Sequence, residues 1–176
     1  MGDVFLKVAA RLALARARAQ LGTVFGDLQF GAMRSQGTEH VVLRSRADLR
    51  ADPNNVLVSL DLTNAFNSVD RGRVLEAVHN YGLSDLFNIV DFCYRSPSAL
   101  LSEECPDLLS SQGVRQGCSL GSILFALAIH PDLLLVQSRH PGVTLRAYLD
   151  DIEIVGPPLL AEACAAELRS IFRDSL

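Results

Sequence analysis

Two adjacent carboxylates, Asp150 and Asp151, stand between two short apolar runs, and a third acidic residue, Asp61, closes another apolar run. Aspartate forms turns readily and strands poorly, so the pair is predicted to lie at a hairpin tip. A solvated turn would explain a lone pair without any chemistry. Asp61, however, lies 150 − 61 = 89 residues before Asp150 in a similar setting. Two acidic strand ends in one small protein suggest a site for a divalent metal.

The chemistry of that site depends on whether the two strands are neighbours in one sheet. Their ends would then bring Asp61 and Asp150 close together, and without a counter-ion the two carboxylates would repel each other. Mg²⁺ removes this conflict, because it accepts carboxylate oxygens and keeps positions open for water and substrate phosphates. Two such ions can activate a hydroxyl and stabilise a leaving oxygen, so the pattern suggests phosphoryl transfer.

Composition narrows the class of protein. With 176 residues and 49% hydrophobic residues, the chain can form one compact domain and is not expected to be disordered. The net charge of −4 argues against a freely basic nucleic-acid binder. Residues 1–50 carry eight basic and four acidic residues, +4, so the remainder carries −8. A phosphate-binding lobe beside a metal-binding one fits this asymmetry, and so does a solvated basic helix face.

Other features exclude several alternatives. The four cysteines have no C-x-x-C spacing and no histidine at ligand spacing, so a zinc or redox site is not expected. The apolar stretch over residues 5–14 is interrupted by Lys7 and Arg11, which argues against a signal peptide. The longest apolar run, 123–136, falls short of a membrane span. We therefore expect a soluble, intracellular protein in a reducing compartment, without a membrane partner.

Periodicity and turn chemistry predict the secondary structure. The expected elements, in chain order, are a helix to about Gln20, a loop over 22–37, a helix from Thr38 or Glu39 to about Leu49, a strand over 56–62, a helix over 71–81 capped by Asp70, a helix capped by Ser84, a hairpin over 98–114, a helix over 120–138, the Asp150 hairpin, and a last helix after Pro157.

Two helices have predicted apolar faces. Val4, Val8 and Leu12 are four residues apart and should share an apolar face of the first helix. The core candidates of the last helix are Leu159, Cys164, Leu168 and Phe172.

Four segments resemble, in order and spacing, the motifs of reverse transcriptases. The stretch 29–42 is similar to the fingers segment of the type found in retrotransposons without long terminal repeats (non-LTR). The other three are similar to the palm motifs: 58–69, which contains Asp61, 113–125, which contains Arg115-Gln116-Gly117, and 147–151, which is Ala-Tyr-Leu-Asp-Asp. Any single segment would be a weak signal, but the four together are specific.

The resemblance implies a role for each matching residue. Asp61 and Asp150 would be metal ligands, the backbone carbonyl of Leu62 would be a third, and Asp151 would be a supporting catalytic acid. The cofactor would be two Mg²⁺ ions, with Mn²⁺ as a possible substitute. A plain turn residue is the alternative interpretation of Asp151.

Nucleotide and nucleic-acid contacts are implied in the same way. Phe66 would be the steric gate beneath the sugar of the incoming nucleotide, with a core aromatic as its alternative interpretation. Gln116 and Gly117 would let the backbone approach the nucleotide and template closely. Tyr148 would pack near the primer end, and Arg115 would contact primer or template.

The resemblance implies an α+β fold, a right-hand polymerase palm with an antiparallel sheet and part of the fingers. Residues 1–53 would be partial fingers and 54–176 palm, with the 98–114 hairpin near their border and the thumb absent. The activity would be RNA-directed DNA synthesis, and the partners an RNA template, a DNA primer, deoxynucleotides and the missing domains of a larger polyprotein. The alternatives are an inactive fragment that binds nucleic acid or protein, and an RNA-dependent RNA polymerase, against which Leu149 and Phe66 argue.

Overall fold

The computed structural model describes residues 4–99, 109–115 and 117–175. Their elements, in chain order, are α1 (Val4–Phe25), α2 (Gly37–Ala51), β1 (Val56–Asp61), α3 (Ala65–Ser68), α4 (Arg71–Asn80), α5 (Ser84–Tyr94), β2 (Ser98–Ala99), β3 (Leu109–Ser110), α6 (Gly121–Arg139), β4 (Thr144–Tyr148), β5 (Asp151–Gly156) and α7 (Pro158–Ser175). Residues 100–108 of the predicted hairpin and Gln116 lie outside the described residues.

The chain forms two compact units. The first contains Met1–Gln20 and Asn64–Ala128, and the second contains Leu21–Thr63 and Ile129–Leu176. These units do not follow the predicted boundary between residues 53 and 54. That boundary separates functional regions, fingers from palm, and it stays a prediction.

The second unit is built on a three-stranded antiparallel sheet with the order β1-β5-β4. Strands β1 and β5 are rich in Val, Ile and Leu, and alternate side chains on one face of the sheet form a buried core that includes Leu60, Leu145, Ile152 and Ile154. Helix α2 packs on β4 and β5, and helix α7 packs on β1 and β5. The sheet therefore holds the ends of β1 and β5 side by side.

Helix α7 starts with Pro158, whose fixed φ suits the first helical position. It buries Cys164, Leu168 and Phe172 as predicted. The prediction that Leu159 lies in the core is wrong, since its side chain is 84% exposed. Leu159 precedes Leu168 by nine residues, which places it on the opposite side of a helix with 3.6 residues per turn.

The first unit contains the helix pair α4 and α5. Asp70 caps α4 as predicted, because its side chain accepts a hydrogen bond from the Arg73 N–H at 2.9 Å. Ser84 does not cap α5, since it is the first helical residue and Leu83 occupies the N-cap position. Strands β2 and β3 pair antiparallel, which confirms the base of the predicted hairpin.

Helix α1 differs most from expectation. It continues beyond Gln20 to Phe25, so the predicted loop starts later. Val4, Val8 and Leu12 are exposed, whereas Ala10 and Ala17 are buried together with Leu21. Two periodic stripes of apolar residues run along this helix. The buried stripe is the one with the alanines, whose small side chains permit close approach of neighbouring elements.

Helix α6 has 19 residues and includes Pro131. By length and composition it could cross a membrane, although the apolar run 123–136 was expected to be too short. Within its most apolar window, 61% of the helix is buried inside the protein. A core helix of a folded protein has the same properties, so the feature is weak support for a membrane span.

Candidate active site at the ends of β1 and β5

The register of the sheet brings the predicted acidic residues together. Asp61, the last residue of β1, lies directly opposite Asp151, the first residue of β5. The N–H of Leu62 donates to the carbonyl oxygen of Asp150 at 3.3 Å, which ties the strand end to the neighbouring turn. On the other side of β5, Tyr148 lies opposite Asp151. Because residues directly opposite share a face, Asp61, Asp151 and Tyr148 occupy one face of the sheet.

The adjacent acids lie at a hairpin tip, as predicted. Strands β4 and β5 are joined by two residues, Leu149 and Asp150. Leu149 has φ +59°, a left-handed backbone conformation that glycine adopts far more readily. The pairing separates the two acids, since Asp150 belongs to the turn and Asp151 faces Asp61.

The electrostatics of this strand end are those of crowded negative charge. Asp151 is exposed as a residue, yet desolvation by its surroundings raises the pKa of its carboxyl, and the carboxylates of Asp150, Asp61 and Glu153 raise it further. Among the described residues, none of these three aspartates forms an ion pair. Like charges placed directly opposite each other destabilise a sheet. The arrangement is therefore suited to a bound cation.

A polar network covers the same face farther from the turn. Glu153 lies opposite both Ser59 and Arg146, two residues along β5 from Asp151. From α2, Ser45 donates a hydrogen bond to Glu153, and Asp48 forms an ion pair with Arg146. Sequence patterns did not indicate these partners, because they come from separate elements.

The oxygen atoms at this strand end fit a divalent cation only as the small ligand set that the sequence predicts. In residues 4–99, 109–115 and 117–175, no group of three or more His, Cys, Asp or Glu side chains is arranged to hold a metal ion. The predicted set is smaller, with two carboxylates, of Asp61 and Asp150, and the carbonyl of Leu62. Mg²⁺ is commonly bound through one or two carboxylates while water and phosphate oxygens complete its octahedron.

The first unit contains a second group of predicted residues. Phe66, Arg115 and Gly117 line a cavity of about 300 Å³ together with Val114, Cys118, Gly121 and Ser122. Phe66 is half-buried and stacks on Phe125, with ring centroids 4.5 Å apart. Gly117 has φ +76°, which explains glycine at this position.

Arg115 forms hydrogen bonds with two neighbouring side chains. Its backbone N–H donates to the Tyr94 hydroxyl at 3.1 Å, and its guanidinium donates to the Ser98 hydroxyl. Burial raises the pKa of Tyr94 to about 12, so this hydroxyl stays neutral. Arg115 therefore has partners within its own unit, and its predicted contact with primer or template stays a prediction.

Arg71 is a structural residue that the sequence did not single out. It is 6% exposed and donates to Gly113 O at 2.9 Å, Ser110 O at 2.6 Å, Ser110 Oγ at 2.7 Å and Gln112 O at 3.0 Å. These bonds fix the segment that leads into Arg115. An arginine after a helix cap normally indicates a solvated position, so sequence offered no signal for this role.

The fold is that of right-hand polymerases. The apo telomerase from Candida tropicalis truncated from its C-terminal domain superposes with a TM-score of 0.61, at 11% identity, over 91% of this chain and 36% of that one. The C. tropicalis telomerase in complex with a TWJ fragment of telomeric RNA gives 0.62 at 13% identity, over 90% and 30%. The predicted α+β polymerase architecture is confirmed.

Sequence comparison defines the family. Residues 3–171 match the family described as reverse transcriptase (RNA-dependent DNA polymerase), and the chain belongs to this family. It is 31% identical over 170 residues to the retrotransposable element SLACS 132 kDa protein of Trypanosoma brucei gambiense, covering 93% of this chain and 14% of that protein. It is also 31% identical over 129 residues to the transposon TX1 uncharacterized 149 kDa protein of Xenopus laevis, covering 65% and 10%.

The predicted reverse transcriptase domain of the non-LTR retrotransposon type is therefore confirmed. The chain spans about one seventh or less of the length of these two relatives.

Proposed function

We propose that this chain carries the catalytic residues of an RNA-directed DNA polymerase, which joins deoxynucleotides to the 3′-hydroxyl of a primer on an RNA template. The observation that supports this most directly is the gathering of Asp61, Asp150 and Asp151 at one end of β1 and β5, without a cationic partner among the described residues. A sheet tolerates such repulsion where a function requires it. Membership in the reverse transcriptase family indicates which function.

The carboxylates of Asp61 and Asp150 and the carbonyl of Leu62 would hold two Mg²⁺ ions, with Mn²⁺ as a substitute. When bound, the ions would supply charge stabilisation for the attacking and leaving oxygens of an in-line displacement. Asp151 would add negative charge beside them. Desolvation raises the pKa of its carboxyl, and the repulsion from Asp150, Asp61 and Glu153, which a divalent cation would relieve, raises it further.

The remaining predicted residues would bind the nucleotide and the nucleic acids. Phe66 would exclude a ribose by clash with its 2′-hydroxyl, which discriminates better than an apolar pocket alone. Its stacking on Phe125 would hold the ring in place. Gly117 and Gln116 would allow close approach of nucleotide and template to the backbone. Tyr148, which shares a face of the sheet with Asp61, would pack against the primer end.

The decisive test removes one charge without changing side-chain shape. Asp150→Asn is expected to lower primer extension by the full-length protein that carries these residues by about a thousandfold or more, a barrier increase of about 4 kcal/mol. Asp85→Asn, an exposed aspartate in the first turn of α5, is the control and should leave the rate near that of the parent. Extension by Asp150→Asn near the parent rate would remove Asp150 from the site.

Folding is checked in the same variants by circular dichroism and thermal melting. Asp150→Asn should melt at or slightly above the parent temperature, because a like charge has been removed beside Asp151. Loss of extension in a variant that melts normally identifies a catalytic effect.

Two further measurements distinguish the alternative functions. An RNA-dependent RNA polymerase would prefer ribonucleotides over deoxynucleotides, whereas a reverse transcriptase with Phe66 as its gate should prefer deoxynucleotides. An inactive binding protein would retain primer–template but extend it with neither substrate at any Mg²⁺ or Mn²⁺ concentration.

A further inference from the structure

Gln29 makes an unusual pair of hydrogen bonds. Its side chain is 1% exposed, and its single oxygen, Oε1, accepts from the N–H of Gly31 at 3.1 Å and from the N–H of Leu149 at 2.8 Å. Both partners are donors, so rotating the amide by 180° would place its NH₂ group against two N–H groups. The orientation of the amide is therefore determined, with the oxygen directed at the backbone of the turn.

The bond to Leu149 reaches the most constrained residue of the hairpin. Leu149 is the first of the two residues between β4 and β5, and its φ of +59° is one that a leucine rarely adopts. Asp150 follows it directly. Whatever holds Leu149 in the left-handed conformation thus determines where the Asp150 backbone, and with it the carboxylate, is placed.

The backbone around Gln29 also follows this hairpin. The Phe30 N–H donates to the Ala147 carbonyl at 2.7 Å, and the Ala147 N–H donates to the Leu28 carbonyl at 2.7 Å. At Gly31, a Cβ atom would lie 2.6 Å from Leu149 Cγ and 2.8 Å from Leu149 N. Residues 28–31 thus lie along the end of β4 and directly against the turn.

Of the two polar groups of the Gln29 amide, the oxygen is the one that explains a glutamine at this position. Nε2 is buried and has no hydrogen-bond partner in the part of the chain that the structure describes. A buried donor without a partner is unfavourable, and an apolar side chain of similar size would avoid the cost. The oxygen must therefore stabilise the structure enough to offset that cost.

We propose that Gln29 is a positioning residue, which holds the Leu149-Asp150 turn in its left-handed conformation and so fixes the Asp150 carboxylate. Gln29 affects the reacting atoms indirectly, through the conformation of this turn. The inference rests on the proposed function, since Asp150 is the residue being positioned. The hydrogen bond itself can be tested independently of any activity.

The test replaces the acceptor with an apolar side chain of similar length. Hydrogen exchange of the Leu149 amide is followed by NMR on the ¹⁵N-labelled chain. In Gln29→Met it should accelerate by about tenfold, because the Leu149 N–H loses its hydrogen bond to Gln29 Oε1. Gln137→Met is a matched control, since Gln137 Oε1 accepts from the Leu145 N–H at 2.8 Å at the other end of β4. It should accelerate exchange at Leu145 and leave Leu149 unchanged.

Activity and rescue complete the test in the full-length protein. Gln29→Met should lower kcat for primer extension by about 10- to 100-fold, with KM for the deoxynucleotide changed by less than about threefold, because a small displacement of a reacting group is costly. In a Leu149→Gly background the same change should lower kcat by less than about threefold, since glycine adopts the left-handed conformation by itself.

The outcomes separate the two proposals. Unchanged Leu149 exchange in Gln29→Met, or a kcat equal to that of the parent despite faster exchange, would overturn the role of Gln29. A parent protein that does not extend primers would contradict the proposed function instead, while the exchange measurement, made without metal or nucleic acid, would still decide whether Gln29 holds the turn.

Discussion

Arg71→Met is the substitution whose effect can be worked out most fully from the structure. The guanidinium of Arg71 donates to four oxygens of residues 110–113. Burial lowers its pKa, and the nearby charge of Arg115 lowers it further, so placing the charge here is itself unfavourable. Methionine keeps most of the apolar stem, removes the charge and leaves the oxygens without their donor.

The cost depends on which oxygens water can reach. Gln112 is exposed and can bind water, whereas Gly113 is buried and Ser110 is half-buried. Two backbone carbonyls, of Ser110 and Gly113, therefore lose their donor, at about 1–1.5 kcal/mol each, which gives a loss of about 2–3 kcal/mol in the free energy of unfolding. Urea denaturation of the purified chain measures this value, and the m-value should not change.

Arg95→Met is the control for removing an arginine from the same unit. Arg95 forms an exposed ion pair with Asp91 four residues earlier, and its own side chain is 70% exposed. Such pairs contribute about 0.3–0.5 kcal/mol. If Arg71→Met lost no more stability than Arg95→Met, the assigned role of Arg71 in fixing residues 110–113 would be wrong.

Two other predictions concern the second unit. Gly31→Ala should lower the free energy of unfolding by about 1–3 kcal/mol, because the added Cβ would overlap Leu149. Gly22→Ala in α1, where nothing lies within 4 Å of the added Cβ, should raise the free energy of unfolding by about 0.5–1 kcal/mol. Equal effects of the two substitutions in urea denaturation would contradict this prediction. Hydrogen bonds from Arg139, and then from His140, lower the pKa of Glu167 from its ordinary 4.5. Its contribution to stability is therefore present above about pH 4.5 and lost as pH falls through the lower folded-state pKa. Glu167→Gln should reduce the acid-induced loss of stability between about pH 5 and 3, and an unchanged slope in that range would refute the assignment.

Local patterns predicted the elements around the site well. The apolar runs before Asp61 and on both sides of Asp150-Asp151 are strands, and the two acids lie at the predicted hairpin. The Asp70 cap and the start of α7 at Pro158 also follow from residues close in sequence. In each case a few neighbouring side chains determine the backbone conformation, so the signal is present locally.

Burial was harder to predict where a helix had two possible faces. The stripe Val4, Val8 and Leu12 is more hydrophobic than the alanine stripe, yet the alanine stripe is buried. Leu159 likewise lies on the exposed side of α7. Hydrophobicity alone cannot decide such cases, because the buried face depends on which neighbouring surface the helix packs against and how closely.

The sequence by itself determined that acidic residues end β-rich apolar runs, that a tight turn separates β4 from β5, and that the motifs are those of a reverse transcriptase. Only the tertiary structure decided that Asp61 faces Asp151 and not Asp150, and that the buried oxygen of Gln29 lies against Leu149, 120 residues away. Strand register and long-range hydrogen bonds depend on the packing of distant segments. Local patterns of residues therefore do not predict which register and which long-range hydrogen bonds form.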